Sequence, residues 1–324
     1  MKPKILVIVG PTASGKSDLA VKLAKKFNGE VISADSRQVY KGLDIGTGKI
    51  TKKEMRGVRH HLLDVADPKK RFTVIDYKNL AEEAIADIFS RGKLPIICGG
   101  TGFFIDAVVN DQNFPIVKED KKLRAKLAKK SADQLFTILE KLDPIKAEVM
   151  AGNNSERHNC RRLIRAIEVA SAARESRTKN ERRQRNESIA QPAETSREAA
   201  MPSLCHKYDA LWIGIQAPSN EFRARIEKRL LKRIKLGMFV EARRLHGGCL
   251  SWKRMNELGL EYRYMAEFLQ RKLTRDQFIE TLSNKIWQYS RRQLTWWRKN
   301  DKIKWIKLQD MGVISQTATR FLDI

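Results

Sequence analysis

The sequence predicts an α/β fold, a parallel sheet flanked by helices and interrupted by a helical insertion. Two observations carry this expectation. Through the first hundred or so residues, short β-branched and aliphatic runs alternate with stretches of helical period. From about residue 118 the strand signal stops while the helical pattern continues. A chain of 324 residues with 42% hydrophobic content can build more than one core.

Each element follows from its local pattern. Residues 4–9, ILVIV behind a lysine, suit a strand buried on both faces. A glycine-rich turn follows, then a helix from Lys16 with Leu19, Val21, Leu23, Ala24 and Phe27 near one stripe. EVISAD is a second strand, an amphipathic helix runs around Tyr77–Ser90, and LPIICGG is a third buried strand leading into a helix from Thr101. His60 and His61 have no metal-ligand partners at suitable spacing and are placed in a strand. The charged helices VKEDKKLRAKLAKK, DQLFTILEKL and NCRRLIRAIEVASA form the insertion, residues 118–173. Residues 174–206 lack an apolar period and are predicted to be a polar basic linker. YDALWIGIQ then restores a strand, two basic helices are expected at about 219–246 and 274–298, and KIKWI closes the sheet. The expected organisation is therefore a first core part at 1–117, the insertion, the linker, and a completion of the core at 207–324.

Lys and Arg number 64 against 38 Asp and Glu, a formal charge of +26 that favours a polyanionic partner such as nucleic acid. Cys98, Cys160, Cys205 and Cys249 form no CxxC spacing, which argues against a zinc site or disulfide framework and fits a reducing cytoplasm. The N-terminal apolar run is too short for a signal peptide, and no stretch approaches a membrane span. We expect a soluble cytoplasmic monomer.

GPTASGKS, the residues Gly10, Pro11, Thr12, Ala13, Ser14, Gly15, Lys16 and Ser17, fits GxxxxGK[ST] between a strand and a helix. Its backbone amides, the Lys16 charge and the helix N-terminus suit phosphate, and the Ser17 hydroxyl suits Mg²⁺. The sheet is thus expected to be P-loop NTPase-like. A nucleotide hydrolase also needs a carboxylate for its metal, commonly at the end of a buried strand. Here PIICGGTG supplies Gly99, Gly100, Thr101 and Gly102 instead. The first strand-end carboxylate after the P-loop helix is Asp35, which opens into the same crevice and suits a general base, a metal ligand or a turn cap. A kinase acting with ATP is the alternative from a different class. Trp296 and Trp297 resemble base-stacking platforms, but a basic amphipathic helix is expected to bury at least one of them.

Six segments in order resemble the tRNA dimethylallyltransferase, or tRNA isopentenyltransferase, family: GPTASGKS, SADSRQVYKGLDIGTGK, HHLLDVADP, PIICGGTGFFIDA, RRLIRAIEV and YSRRQLTWW. The resemblance implies transfer of a dimethylallyl group from dimethylallyl diphosphate to N6 of adenine 37 in the anticodon stem-loop of tRNA. It implies that the P-loop and Mg²⁺ hold the diphosphate, that Asp35 is the general base, that Thr101 takes part in catalysis and that Arg225 stabilises the departing diphosphate. tRNA contact is implied for Asp35, Ser36, Arg37, Gln38, Thr101, Arg124 and the run Arg161, Arg162, Leu163, Ile164 and Arg165. Arg161, Arg162 and Arg165 can face one phosphate strand, or pair with acidic neighbours such as Glu168. Ile50, Phe104 and Cys160 depart from the family pattern without removing proposed chemistry.

Overall fold

The computed structural model describes residues 2–187, 207–216 and 219–323. The chain divides into two compact units, Met1–Gln112 with Pro202–Ile324, and Asn113–Met201. In chain order, the first unit starts with β1 (Lys4–Val9), α1 (Lys16–Lys26), β2 (Gly29–Ala34), α2 (Lys52–Met55), β3 (His60–His61), α3 (Val74–Ser90), β4 (Leu94–Gly99) and α4 (Gly102–Val109). The second unit contains α5 (Lys121–Leu127), α6 (Ala132–Leu142), α7 (Pro144–Ala151), α8 (Asn154–Arg157) and α9 (Cys160–Glu187). The first unit resumes with β5 (Asp209–Gln216), α10 (Ser219–Lys235), α11 (Met238–Gly247), α12 (Trp252–Glu257), α13 (Leu260–Leu269), α14 (Arg275–Trp297), β6 (Ile303–Lys307) and α15 (Met311–Leu322).

The strands form one six-stranded sheet in the order β3-β2-β4-β1-β5-β6, every pairing parallel. The period-2 alternation of β1 sorts its side chains between two layers. Ile5, Val7 and Val9 pack with α3 and α4 through Tyr77, Ile85, Ile105 and Val108, and with Trp297. Leu6 and Ile8 pack with Leu19 and Leu23 of α1 and with Ile314 and Ala318 of α15. A third cluster, including Leu43, Leu230, Tyr262, Met265 and Phe278, joins the segment after β2 to helices α10–α14. Parallel strands place all their C-terminal ends on one side, where β1, β2 and β4 present the P-loop, Asp35 and the Gly99–Thr101 turn.

Two expectations are corrected by the described residues. The helix expected over 219–246 is two helices, because Gly237 (φ 98) adopts a left-handed conformation between α10 and α11. The first part of the expected linker is helical: α9 continues to Glu187. Its Arg, Lys, Glu and Gln residues are strong helix formers even without an apolar stripe, and a helix already nucleated over the Leu163–Ala170 face propagates through them. The remainder of that expectation, 188–206, lies outside the described residues. Helices α12, α13 and α15 were not anticipated; each is short, so its period is weak. Trp297 is core, as expected of one of the pair, whereas Trp296 is 38% exposed. No helix among the described residues is long and apolar enough to cross a membrane.

Candidate active site

The P-loop links the buried end of β1 to the first turn of α1. Ala13 (φ 67) and Gly15 (φ 88) are left-handed, and Ser14 N donates to Pro11 O at 3.2 Å, which rolls the loop into a concave ring. The left-handed φ favours glycine at Gly15, and a Cβ there would stand 2.5 Å from Leu308 Cδ2, so the leucine side chain would have to turn aside. The Ser14 hydroxyl is buried with no hydrogen-bond partner among the described residues. Lys16 folds back so that Nζ donates to Pro11 O at 3.3 Å. Burial lowers the Lys16 pKa, and this cation makes no ion pair among the described residues.

Across the same cavity lie Asp35 and Arg229, together with Thr12, Ser17 and the less polar Val31, Ile50 and Cys98. Asp35 follows β2 directly, and its Oδ1 accepts from Arg37 N at 2.8 Å and Gln38 N at 3.3 Å. This turn leaves Oδ2 with no hydrogen bond to a described residue. Ser36 N donates to Thr101 Oγ1 at 3.1 Å, and Thr101 N donates to Ala34 O at 3.1 Å, so the ends of β2 and β4 are locked together. Burial pushes the nearby Tyr289 phenol up to about 12. Burial likewise raises the Cys98 thiol to about 11, which makes it an inert wall of the cavity.

The remaining wall is the segment 44–50, held from beneath by three helices. Glu241 of α11 is buried and accepts from Asp44 N, Ile45 N and Gly46 N at 3.0, 2.7 and 2.9 Å, while Tyr262 Oη donates to it at 2.6 Å. Arg233 Nη1 donates to Gly46 O at 2.6 Å, and Arg229 Nη2 to Gly48 O at 2.9 Å. Burial lowers the Arg229 pKa. Arg225, the arginine expected at the diphosphate, is instead exposed and pairs with Glu221 at 2.8 Å. Arg229 lies one helical turn further on, on the face that meets the cavity. The helical spacing of Arg229 and Arg233, followed by Glu241, was the available signal for this support, and the sequence reading passed over it.

The residues expected to meet RNA divide sharply. Ser36, Arg37 and Gln38 flank the cavity with Asp35, and Gln38 lines it. In the helical unit, the Leu163 side chain is fully buried and is not a surface contact, while Ile164 is partly buried against the same core. Arg124 donates to Glu168 at 3.0 and 2.7 Å and pairs with Glu119, while Arg165 pairs with Glu168 and donates to Val117 O at 3.0 Å. Arg162 pairs with Glu156. Arg161 is exposed and makes no ion pair among the described residues. One histidine and carboxylate cluster, Glu30, His61 and Asp87, is an ion network: Arg91 bonds Glu30 and Asp87, Lys93 bonds Glu30, and the Arg91 contact leads in holding the Glu30 carboxyl well below its usual range.

A parallel sheet with a glycine-rich turn at the end of β1, facing a carboxylate with one unbonded oxygen at the end of β2, places the chain among α/β proteins with a P-loop NTPase-like sheet. The IPP transferase family model matches residues 38–300, and the chain belongs to that family of prenyl-transferring enzymes. It is 38% identical over 310 residues to tRNA dimethylallyltransferase 2 of Treponema denticola, covering 94% of this chain and 96% of that one. It is 34% identical to tRNA dimethylallyltransferase of Anoxybacillus flavithermus, covering 99% and 96%. The full-length tRNA isopentenylpyrophosphate transferase of Bacillus halodurans superposes with a TM-score of 0.68 at 32% identity, covering 99% of this chain and 97% of that one. A eukaryotic dimethylallyltransferase acting on tRNA gives 0.76 at 25% identity, covering 98% of this chain and 78% of the other.

Proposed function

We propose that this enzyme transfers a dimethylallyl group from dimethylallyl diphosphate to N6 of adenine 37 in the anticodon stem-loop of tRNA. The observation that carries the reading is Asp35, whose unbonded carboxylate oxygen shares one cavity with Lys16 and Arg229. An exocyclic aromatic amine is a weak nucleophile and becomes acidic only as it is alkylated. The carbon–nitrogen bond then forms as the allylic carbon–oxygen bond breaks, and Asp35 takes the amine proton. Charge developing on the diphosphate meets Lys16, Arg229 and the amides at the N-terminus of α1. The Val31, Ile50 and Cys98 side chains offer a prenyl group an apolar surface.

The donor set suits a hard cation, because Ser17, Asp35 and Thr47 all present oxygen to the cavity and its cysteine stays protonated. Ser17 would hold Mg²⁺, whose chemistry when bound is to neutralise charge on the diphosphate. The Ser14 hydroxyl, buried without a partner, is a further donor for a phosphate oxygen.

The names of the relatives and the charge of +26 both support tRNA as the acceptor. The target base must leave its stack to enter the cavity, at a cost of a few kcal/mol that backbone contacts elsewhere on the RNA offset. The test is mass spectrometry of tRNA nucleosides after incubation with dimethylallyl diphosphate, Mg²⁺ and unmodified tRNA. A dimethylallyl gain on adenosine 37 is expected. Absence of any gain, with ATP turnover in its place, would return the site to a kinase.

A further inference from the structure

The segment YSRRQLTWW on α14 has no part in the chemistry above, yet its helix faces the catalytic turn. Tyr289, Gln293 and Trp296, at i, i+4 and i+7, fall on one face. The Tyr289 phenol stands near Thr101, and Trp296 Nε1 donates to Asp106 Oδ2 at 2.8 Å. Between them, Gln293 Nε2 donates to Gly100 O at 2.9 Å while its Oε1 accepts from Thr12 N at 3.0 Å. Both partners are backbone groups of fixed polarity, so they dictate which way the carboxamide points. Gln293 is only 6% exposed, and a Cβ on Gly100 would stand 2.3 Å from its Nε2. The glycine is the space into which this side chain fits.

We propose that Gln293 is a positioning residue for the transfer reaction, spanning the P-loop and the turn after β4 so that the leaving diphosphate and the accepting amine are held at one separation. The inference rests on reading the cavity as a prenyl-transfer centre. One end of the carboxamide fixes Thr12 in the loop that cradles the diphosphate. The other fixes Gly100, next to Thr101, which in turn holds the Asp35 turn through Ser36 N. The donor and acceptor halves of the site therefore meet through one side chain. Thr12 N–H is consequently committed to Gln293, and the anion is left with Lys16, Ser14 and the amides at the start of α1. Removing the bridge unpairs the part-buried Thr12 N–H and the buried Gly100 carbonyl, and a displacement of about 1 Å at the reacting groups is enough to cost about 100-fold in rate.

The test compares Gln293→Leu, Gln293→Glu and Leu282→Ala, the last a core truncation about three turns earlier on the same helix. Gln293→Leu is expected to lose about 100-fold in kcat with KM for dimethylallyl diphosphate within about threefold. Leu282→Ala should lower the melting temperature at least as much while keeping kcat within about threefold of the parent. Gln293→Glu separates positioning from packing. Ionised, its carboxylate opposes the Gly100 carbonyl; protonated, it reproduces the donor and acceptor of glutamine. Its kcat relative to the parent should therefore rise about tenfold or more as pH falls from about 8 to about 6, since burial raises a carboxyl pKa. In the parent, hydrogen exchange at Thr12 N should be slow, and in Gln293→Leu fast. A parent-like kcat in Gln293→Leu, an equal kcat loss in Leu282→Ala, or a flat pH ratio for Gln293→Glu would overturn the proposal. If the parent makes no prenylated product, the transfer reading falls by itself. The bridge is then judged by Thr12 exchange, and an N–H that stays as slow in Gln293→Leu as in the parent overturns it too.

Discussion

The sheet unit and the helical unit both hold partly buried cations, but they supply them with different partners. Lys16 and Arg229 donate to backbone carbonyls, Pro11 O and Gly48 O, and meet no carboxylate in an ion pair among the described residues. Arg124 and Arg165 converge on Glu168, a carboxylate buried to 2% exposure. A carbonyl orients a cation without cancelling its charge, so the first pair keeps its field for an incoming anion. A carboxylate cancels the charge, so the second pair serves the architecture of its unit. The pKa shifts follow the same division. Burial lowers Lys16 and Arg229, whereas the Glu168 hydrogen bond, opposed by desolvation, raises Arg124.

The largest effect should come from Asp35, the carboxylate that lines the cavity with Lys16 and Arg229. Asp35→Ala is expected to reduce prenyl transfer by about 10²–10⁴-fold with tRNA affinity changed only several-fold, measured by single-turnover transfer and filter binding. A variant retaining more than about a tenth of the rate would remove Asp35 from the base role. Next, Arg229→Ala should lose about 10²-fold or more in kcat/KM for the prenyl donor, and Arg225→Ala, already paired with Glu221, less than about threefold. The reverse ranking would restore Arg225 and break the distinction between cations on carbonyls and cations on carboxylates.

That ranking shows where the sequence was informative. GPTASGKS, EVISAD and LPIICGG have short-range patterns that commit their backbones, and the sheet set Asp35, the P-loop and Thr101 side by side as expected. The choice between Arg225 and Arg229 depends on the rotation of α10 about its axis, fixed by partners distant in sequence such as Phe278 and Ile286 on α14. Gln293 and Glu241 act on backbone groups between about 190 and 280 residues away, and no local pattern records such a pairing. Leu163 shows the opposite failure: a motif shared with a family fixed the position but not its direction, and the side chain faces the core.

The helical unit can be tested through acid. Burial would raise the Glu168 pKa, but hydrogen bonds from Arg124, Arg165 and Asp120 N outweigh it and bring it from 4.5 down to about 2. A carboxylate with a depressed folded pKa adds stability that is fully present above its unfolded value and disappears as pH falls through the folded one. We therefore expect Glu168→Gln to cost on the order of 3 kcal/mol of unit stability at pH 7. The difference should shrink between pH 4.5 and about 2. Hydrogen exchange of amides in α5 and α9 as a function of pH would read this out. Parallel profiles for the two proteins would mean that Glu168 does not anchor the unit.

The smallest effect concerns the arginines of the RRLIR segment. Arg162 is paired with Glu156 and Arg165 with Glu168, so replacing either removes an internal partner as well as a charge. Arg161 is exposed and has no ion pair among the described residues, which makes it the member of the run free to meet a phosphate. Arg161→Ala should weaken tRNA binding by a few-fold at moderate salt and reduce the slope of log affinity against log salt by about one, with no change in melting temperature. Arg162→Ala should change the slope less, because its guanidinium already has a counter-charge and loses that pairing when it binds RNA. Equal slopes for the two variants would show that the Glu156 pair opens at no cost, and that pairing within the helical unit does not decide which of its cations meet the RNA.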